Sequence, residues 1–234
     1  MKNAILASTS TLHGQTYLEY LLPEILKLFV DRELLFIPYA RPGGISHNEY
    51  TDLVKKSLEK TGIAVKGIHE YKDPVRAVQE SKGIFTGGGN TFLLVEKLYR
   101  NNIMTLLKQV ILQGLPYLGT SAGTNIAGLT MQTTNDMPII YPPSFQTLGV
   151  VPFNINPHYL DPDLNSTHKG ETRETRIKEF HTLNTQPVIG LREGSWLELN
   201  GEEVTLKGNL NARIFRVNET PFEAEPNSNL TYLK

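Results

Sequence analysis

Short apolar runs and helical patterns take turns along roughly the first 120 residues, and that alternation restricts the chain to folds in which a mostly parallel sheet is covered by helices. The pattern predicts strands at 3–8, 33–37, 63–68, 83–86 and 115–119, and helices at 17–29, 46–61, 74–81, 91–99 and 103–113. Within 17–29, Leu18, Leu21, Leu22, Ile25, Leu26 and Phe29 share one face, and Pro23 is expected to kink or divide it. Ser46 with Glu49 three residues on reads as a capping box that starts the next helix, and Gly62 as its stop. Sheets of this kind carry their ligands beyond the carboxyl ends of the strands. Two glycine-rich turns fall there, at Gly87-Gly88-Gly89 and at Gly119-Thr120-Ser121-Ala122-Gly123.

The pattern changes near Thr130. Prolines gather at Pro138, Pro142 and Pro143, followed by an expected strand at 150–155, a helix at 171–183 and a strand at 188–191. Residues 196–206 alternate apolar and polar about Asn200-Gly201, a hairpin signal, and this antiparallel pair is expected to close one edge of the sheet. No linker or repeat interrupts the chain, so residues 1–234 read as one α/β domain, a three-layer sandwich with a C-terminal antiparallel hairpin.

Composition removes several classes of function. The 23 basic and 24 acidic side chains are interspersed and leave a formal charge of −1, so there is no electrostatic footprint for nucleic acid. The N-terminal apolar run is too short for a signal peptide or a membrane span, which places the protein in the cytoplasm as an expectation. With no cysteine in the sequence, a covalent catalyst has to be an oxygen or a lysine.

Ser121 is the candidate for that oxygen. A serine between small residues, at the end of an apolar strand and the start of a helix, matches the tight turn on which α/β hydrolytic folds expose a nucleophile. The competing reading is a plain helix N-cap. A serine hydroxyl needs a base, usually an imidazole held by a carboxylate. Of six histidines, His158 emerges where the apolar 150–155 run meets Pro157, on a restricted loop; His69 and His181 suit structural roles, and His13 stays open. Two carboxylates compete to orient it: Glu193, in the turn after the 188–191 strand, and Asp136, on the loop after the serine helix. In the other glycine turn, a bare N–H of Gly88 or Gly89 together with that of Ala122 suits an oxyanion hole. A phosphate loop is disfavoured there, because no Lys-Ser/Thr follows the glycines and no G-x-G-x-x-G with a downstream acid is present.

Six blocks in order, Gly87 to Thr91, Thr120 to Asn125, Thr134 to Pro138, Asn156 to His158, His168 to Arg173 and Gly190 to Ser195, resemble the peptidase E (α-aspartyl dipeptidase) family of serine peptidases. The resemblance implies a flavodoxin-like sandwich akin to class I glutamine amidotransferases, with serine in place of their cysteine. It also implies hydrolysis of dipeptides with an N-terminal aspartate, with Ser121 as nucleophile, His158 as general base and the acid at Asp136 or Glu193. No metal or organic cofactor is expected, and the partner is a small peptide substrate. An aspartyl side chain calls for a guanidinium, which grips a carboxylate with two parallel hydrogen bonds. Arg173 is the first candidate, with Arg176 one turn on and Asn90 as an added hydrogen bond. Three other readings remain: a cyanophycinase-like exopeptidase for β-aspartyl-arginine, a generic esterase, or a non-catalytic small-molecule binding module.

Overall fold

The computed structural model describes residues 1–31, 33–163, 167 and 170–233. Eleven strands and seven α-helices appear among them. The first five strands are β1 (Asn3–Ala7), β2 (Glu33–Ile37), β3 (Ala64–Gly67), β4 (Ile84–Thr86) and β5 (Tyr117–Thr120), and they pair parallel in the order β3-β2-β4-β5-β1. Next to β1 the hairpin β8 (Ser195–Asn200) and β9 (Glu203–Gly208) adds two antiparallel strands, giving seven in all. The hairpin therefore closes the edge as its alternation predicts. Its two-residue loop is Gly201-Glu202, one position later than the Asn200-Gly201 reading, because Asn200 still pairs with Glu203. Gly201 takes φ 61° at the first loop position, where a side chain would be strained.

Side chains along these strands alternate between the two faces, as the strand period of two requires. Ile5, Ala7, Phe36, Phe85 and Leu118 meet α1 (Leu22–Leu28) and α2 (His47–Leu58) on one side. Ala4, Leu6, Leu35, Ile37 and Ile84 meet α3 (Pro74–Gln79), α4 (Thr91–Arg100) and α5 (Met104–Leu112) on the other. Helix α2 starts on the expected capping box, with the Ser46 side chain accepting from the Glu49 N–H and the Glu49 carboxylate accepting from the Ser46 N–H. Pro23 divides the expected 17–29 helix. It sits in the first turn of α1, where its missing N–H would have had no partner, and residues Glu19–Leu21 form a separate 3₁₀ turn.

A second, four-stranded sheet departs from the simple sandwich. It comprises β6 (Asn154–Pro157), β7 (Val188–Leu191), β10 (Ala212–Phe215) and β11 (Phe222–Ala224), in the order β11-β10-β7-β6. Ile155, Ile189, Leu191 and Ile214 turn inward to join the core beneath the large sheet, while Tyr159, Val188 and Phe215 pack against Ile177 of α7 (Arg173–Phe180). The strand expected at 150–155 begins later, at Asn154, because the N–H groups of Val150 and Val151 both turn to the Ala127 carbonyl, at 2.9 and 3.2 Å. Those residues are buried as a bend, which a run of apolar letters cannot distinguish from a strand. Among the described residues, no helix is long and apolar enough to cross a membrane.

Candidate active site

Ser121 stands between β5 and the short helix α6 (Ala122–Asn125) with φ 54° and ψ −111°, a conformation that costs a non-glycine residue about 1–3 kcal/mol. The surroundings impose it. Its N–H donates to the Ala7 carbonyl at 3.2 Å, and the Thr124 hydroxyl lies 2.6 Å from that carbonyl and 2.8 Å from the Gly119 carbonyl. Both flanking glycines are needed for this close packing. A Cβ on Gly119 would lie 2.6 Å from the Gly123 carbonyl oxygen, and one on Gly123 would strike the Thr86 carbonyl oxygen. The Ser121 side chain makes no capping bond to α6, so the N-cap reading does not describe its hydroxyl.

That hydroxyl instead faces His158, whose Nε2 lies 2.9 Å from Ser121 Oγ while Nδ1 lies 2.6 Å from Glu193 Oε1. A carboxylate only accepts hydrogen bonds, so this pairing favours the tautomer with the proton on Nδ1 and leaves Nε2 free to accept from the serine. His158 follows β6 in a left-handed backbone conformation, φ 54°, and is pinned there by Ser8. The wholly buried Ser8 hydroxyl accepts from the His158 N–H at 2.8 Å and donates to the Leu191 carbonyl at 2.7 Å. Glu193 is held from the next position: Arg192 forks onto Asp161 at 2.6 and 2.8 Å and onto Glu223 at 2.8 and 3.1 Å. These bonds, Asp161 first, raise the Arg192 pKa further, and Arg192 in turn holds the Asp161 carboxyl below its ordinary value.

Asp136, the other carboxylate expected beside the histidine, is turned away from it. Its Oδ2 accepts from the Thr91 N–H at 2.7 Å and the Thr91 hydroxyl at 2.6 Å, at the first residue of α4, and from the Thr134 hydroxyl at 3.0 Å. It nevertheless lines the same cavity, about 240 Å³, as Ser121, Ala122, His158 and Arg173. Arg173 has no hydrogen bond or ion pair among the described residues; burial first, and then Arg176, lower its pKa, and Asp136 offsets part of that. Asn90 and Arg176 do not join the cavity. Asn90 Oδ1 accepts from the Leu93 N–H at 3.0 Å and Nδ2 donates to the Met137 carbonyl at 2.8 Å, so both polar ends are taken by the N-cap and the adjoining loop. Arg176 is exposed, with Glu171 at 3.7 Å, because one further turn of α7 carries it past the opening.

Gly88 packs directly on the nucleophile: a Cβ there would lie 2.8 Å from Ser121 Cβ. The N–H groups of Gly88, Gly89 and Ala122 donate to nothing among the described residues. His13 is exposed, His69 bonds Asn48 at 2.7 Å and His181 bonds the Gln186 carbonyl at 3.0 Å, all apart from the serine. His168 and Lys169, in one of the six blocks, lie outside the described residues. A roomier cavity of about 620 Å³ opens at the opposite ends of the strands, beside Lys2, Glu24 and Asn200, and carries no comparable nucleophile and base. Ser8 and Arg192 escaped the sequence reading, since nothing local marks a strand-end serine or a turn arginine as partners of residues so far along the chain.

Replacing Ser8 by alanine leaves the His158 N–H without a partner and removes one of the two donors to the Leu191 carbonyl, which keeps the Tyr159 N–H at 3.1 Å. The expected result is a loss of about 1–3 kcal/mol in urea unfolding and a kcat roughly 10- to 100-fold lower with KM nearly unchanged. A fall in stability with kcat intact would show that Ser8 does not set the imidazole.

The model of Peptidase family S51 matches residues 4–207. Peptidase E of Streptomyces coelicolor is 49% identical over 232 residues, covering 99% of this chain and 94% of that protein. A Drosophila melanogaster protein named probable alpha-aspartyl dipeptidase is 45% identical over 236 residues, covering 99% and 97%. In fold, the chain is similar to a crystal structure of a peptidase from an acI-B1 actinobacterium, with a TM-score of 0.70 at 17% identity over 99% of this chain and 97% of that one. It is also similar to a Peptidase E protein of Listeria monocytogenes, with a TM-score of 0.63 at 23% identity over 89% and 98%. With a family match that spans most of its length and relatives near half identity, the chain belongs to peptidase family S51.

Proposed function

We propose that the protein is a serine dipeptidase that cleaves dipeptides with an N-terminal aspartate through an aspartyl-enzyme. The observation that carries this reading is the partnerless guanidinium of Arg173 in the small cavity that also holds Ser121 and His158. A partly buried cation without a counter-ion is poised for a carboxylate, and the aspartyl side chain supplies one. The name of the Drosophila relative points the same way.

In the proposed reaction His158 Nε2 takes the Ser121 proton as Oγ attacks the aspartyl carbonyl carbon. Glu193 holds the imidazole and stabilises the imidazolium that forms. The oxyanion rests on the Ala122 N–H and on that of Gly88 or Gly89. His158 then protonates the departing amine, and water, activated the same way, releases aspartate. Asp136 has a different task from the one considered in the sequence. Its Oδ2 is committed to Thr91 and Thr134, which leaves Oδ1 to face the α-ammonium of the substrate and so to require a free N-terminus.

Changing Arg173 to methionine tests the reading. The expected outcome is a kcat/KM for Asp-Leu lower by roughly 100- to 1000-fold, with hydrolysis of neutral dipeptides little altered. An equal loss on both would remove Arg173 from the specificity site. The same assay with β-Asp-Arg separates the α-linked preference from a cyanophycinase-like one.

A further inference from the structure

We propose that Arg41 is the subsite for the C-terminal carboxylate of the departing residue, so that the enzyme grips both anionic ends of an Asp-X dipeptide. This rests on the dipeptidase reading above. Among the described arginines, Arg41 and Arg173 alone lack a carboxylate within 4.0 Å; Arg76, Arg100, Arg176, Arg192, Arg213 and Arg216 each have one. The Arg41 Nε is moreover buried and has no hydrogen-bond partner. Free guanidinium groups are costly to desolvate, and two of them left unpaired at the carboxyl ends of one sheet are two places to receive an anionic group. Arg41 lines its own cavity of about 500 Å³, with Ser46 and His47, distinct from the one that holds Ser121 and Arg173.

Position supports the same conclusion. Arg41 follows β2, and in the order β2-β4-β5 it emerges two strands from Ser121, at the carboxyl ends where the glycine turn also lies. Its guanidinium carbon sits 4.7 Å above the Tyr50 ring, and the Tyr50 hydroxyl donates to the Gly88 carbonyl at 3.2 Å. Gly88 in turn packs on Ser121, so one chain of contacts leads from Arg41 to the nucleophile. Tyr50 belongs to the α1 and α2 side of the sheet, whereas Asp136 and Arg173 approach Ser121 from α4 and α7. A dipeptide laid across Ser121 with its aspartyl end on Arg173 therefore directs its other end towards Arg41. Two strand spacings are about 10 Å. One extended residue covers about 3.5 Å of that span, and the long arginine side chain reaches across the rest.

The test compares kcat/KM for Asp-Leu and for its C-terminal amide, Asp-leucinamide, in the wild type, Arg41→Gln and Arg41→Lys. The wild type is expected to prefer the free acid roughly 10- to 100-fold, chiefly through KM. In Arg41→Gln that preference should collapse towards one, and Arg41→Lys should recover part of it. Three results would overturn the proposal: no preference in the wild type, a preference kept in Arg41→Gln, or a parallel loss on both substrates that marks Arg41 as a brace for Tyr50 and Gly88. A wild type idle on both substrates would defeat the dipeptidase reading and this proposal with it, whereas wild-type cleavage with an unchanged ratio in Arg41→Gln would defeat the carboxylate subsite alone.

Discussion

Ser121→Ala is expected to lower kcat for Asp-Leu by roughly 10⁴- to 10⁶-fold, because it removes the atom that attacks and leaves only binding and the oxyanion hole to act on bound water. The fold should survive. The serine hydroxyl makes no capping bond, and alanine meets the same φ of 54° with no new clash, so the thermal midpoint should stay close to that of the wild type. Leucine release under single-turnover conditions checks the first part and a melting curve the second. Fast turnover by a folded variant would mean that another group is the nucleophile.

The two carboxylates should separate by which kinetic constant they move. Glu193→Gln keeps the shape of the side chain but replaces an acceptor with an amide beside the His158 Nδ1–H, which favours the wrong tautomer. The expected fall in kcat is on the order of 10²- to 10⁴-fold with KM little changed. Asp136→Asn should instead weaken the recognition of a free α-ammonium. KM for Asp-Leu rises, and the discrimination against N-acetyl-Asp-Leu narrows by roughly tenfold or more. Steady-state kinetics on the two substrates decides the matter. A kcat collapse confined to Asp136→Asn, with Glu193→Gln near wild type, would reverse the assignment despite the 2.6 Å contact between Glu193 and His158.

The nucleophile turn was legible in the sequence because its chemistry is local: Gly119, Ser121 and Gly123 lie within five residues, and steric demand alone dictates the two glycines. Four of the five parallel strands, β1, β2, β4 and β5, were legible for a similar reason, since each is a short apolar run almost wholly buried, whereas β3 at the sheet edge is buried only at Gly67. The acid was not. Glu193 and Asp136 are equally ordinary turn carboxylates, and only the meeting of the loop after β6 with the turn after β7 brings one of them to the imidazole. Asn90 misled for the opposite reason, because a conspicuous residue in a glycine turn proved to be a helix cap. Of the small sheet, β7 and, with shifted bounds, β6 were legible, whereas β10 and β11 were hidden by their brevity. Strands such as Phe222–Ala224 are too short to show a period, and they are held by pairing with β10 rather than by their own pattern.

Ser121 rises from the large sheet, whereas His158 is carried by the small one, and Ser8 ties the two together at their shared boundary. The distance between nucleophile and base is thus a measure of how squarely two separately hydrogen-bonded layers are seated on each other. A disturbance that lets one layer slip by an ångström, with every strand still intact, disarms the enzyme well before it melts, and hydrolysis becomes a more sensitive gauge of that seating than any spectroscopic signal of secondary structure.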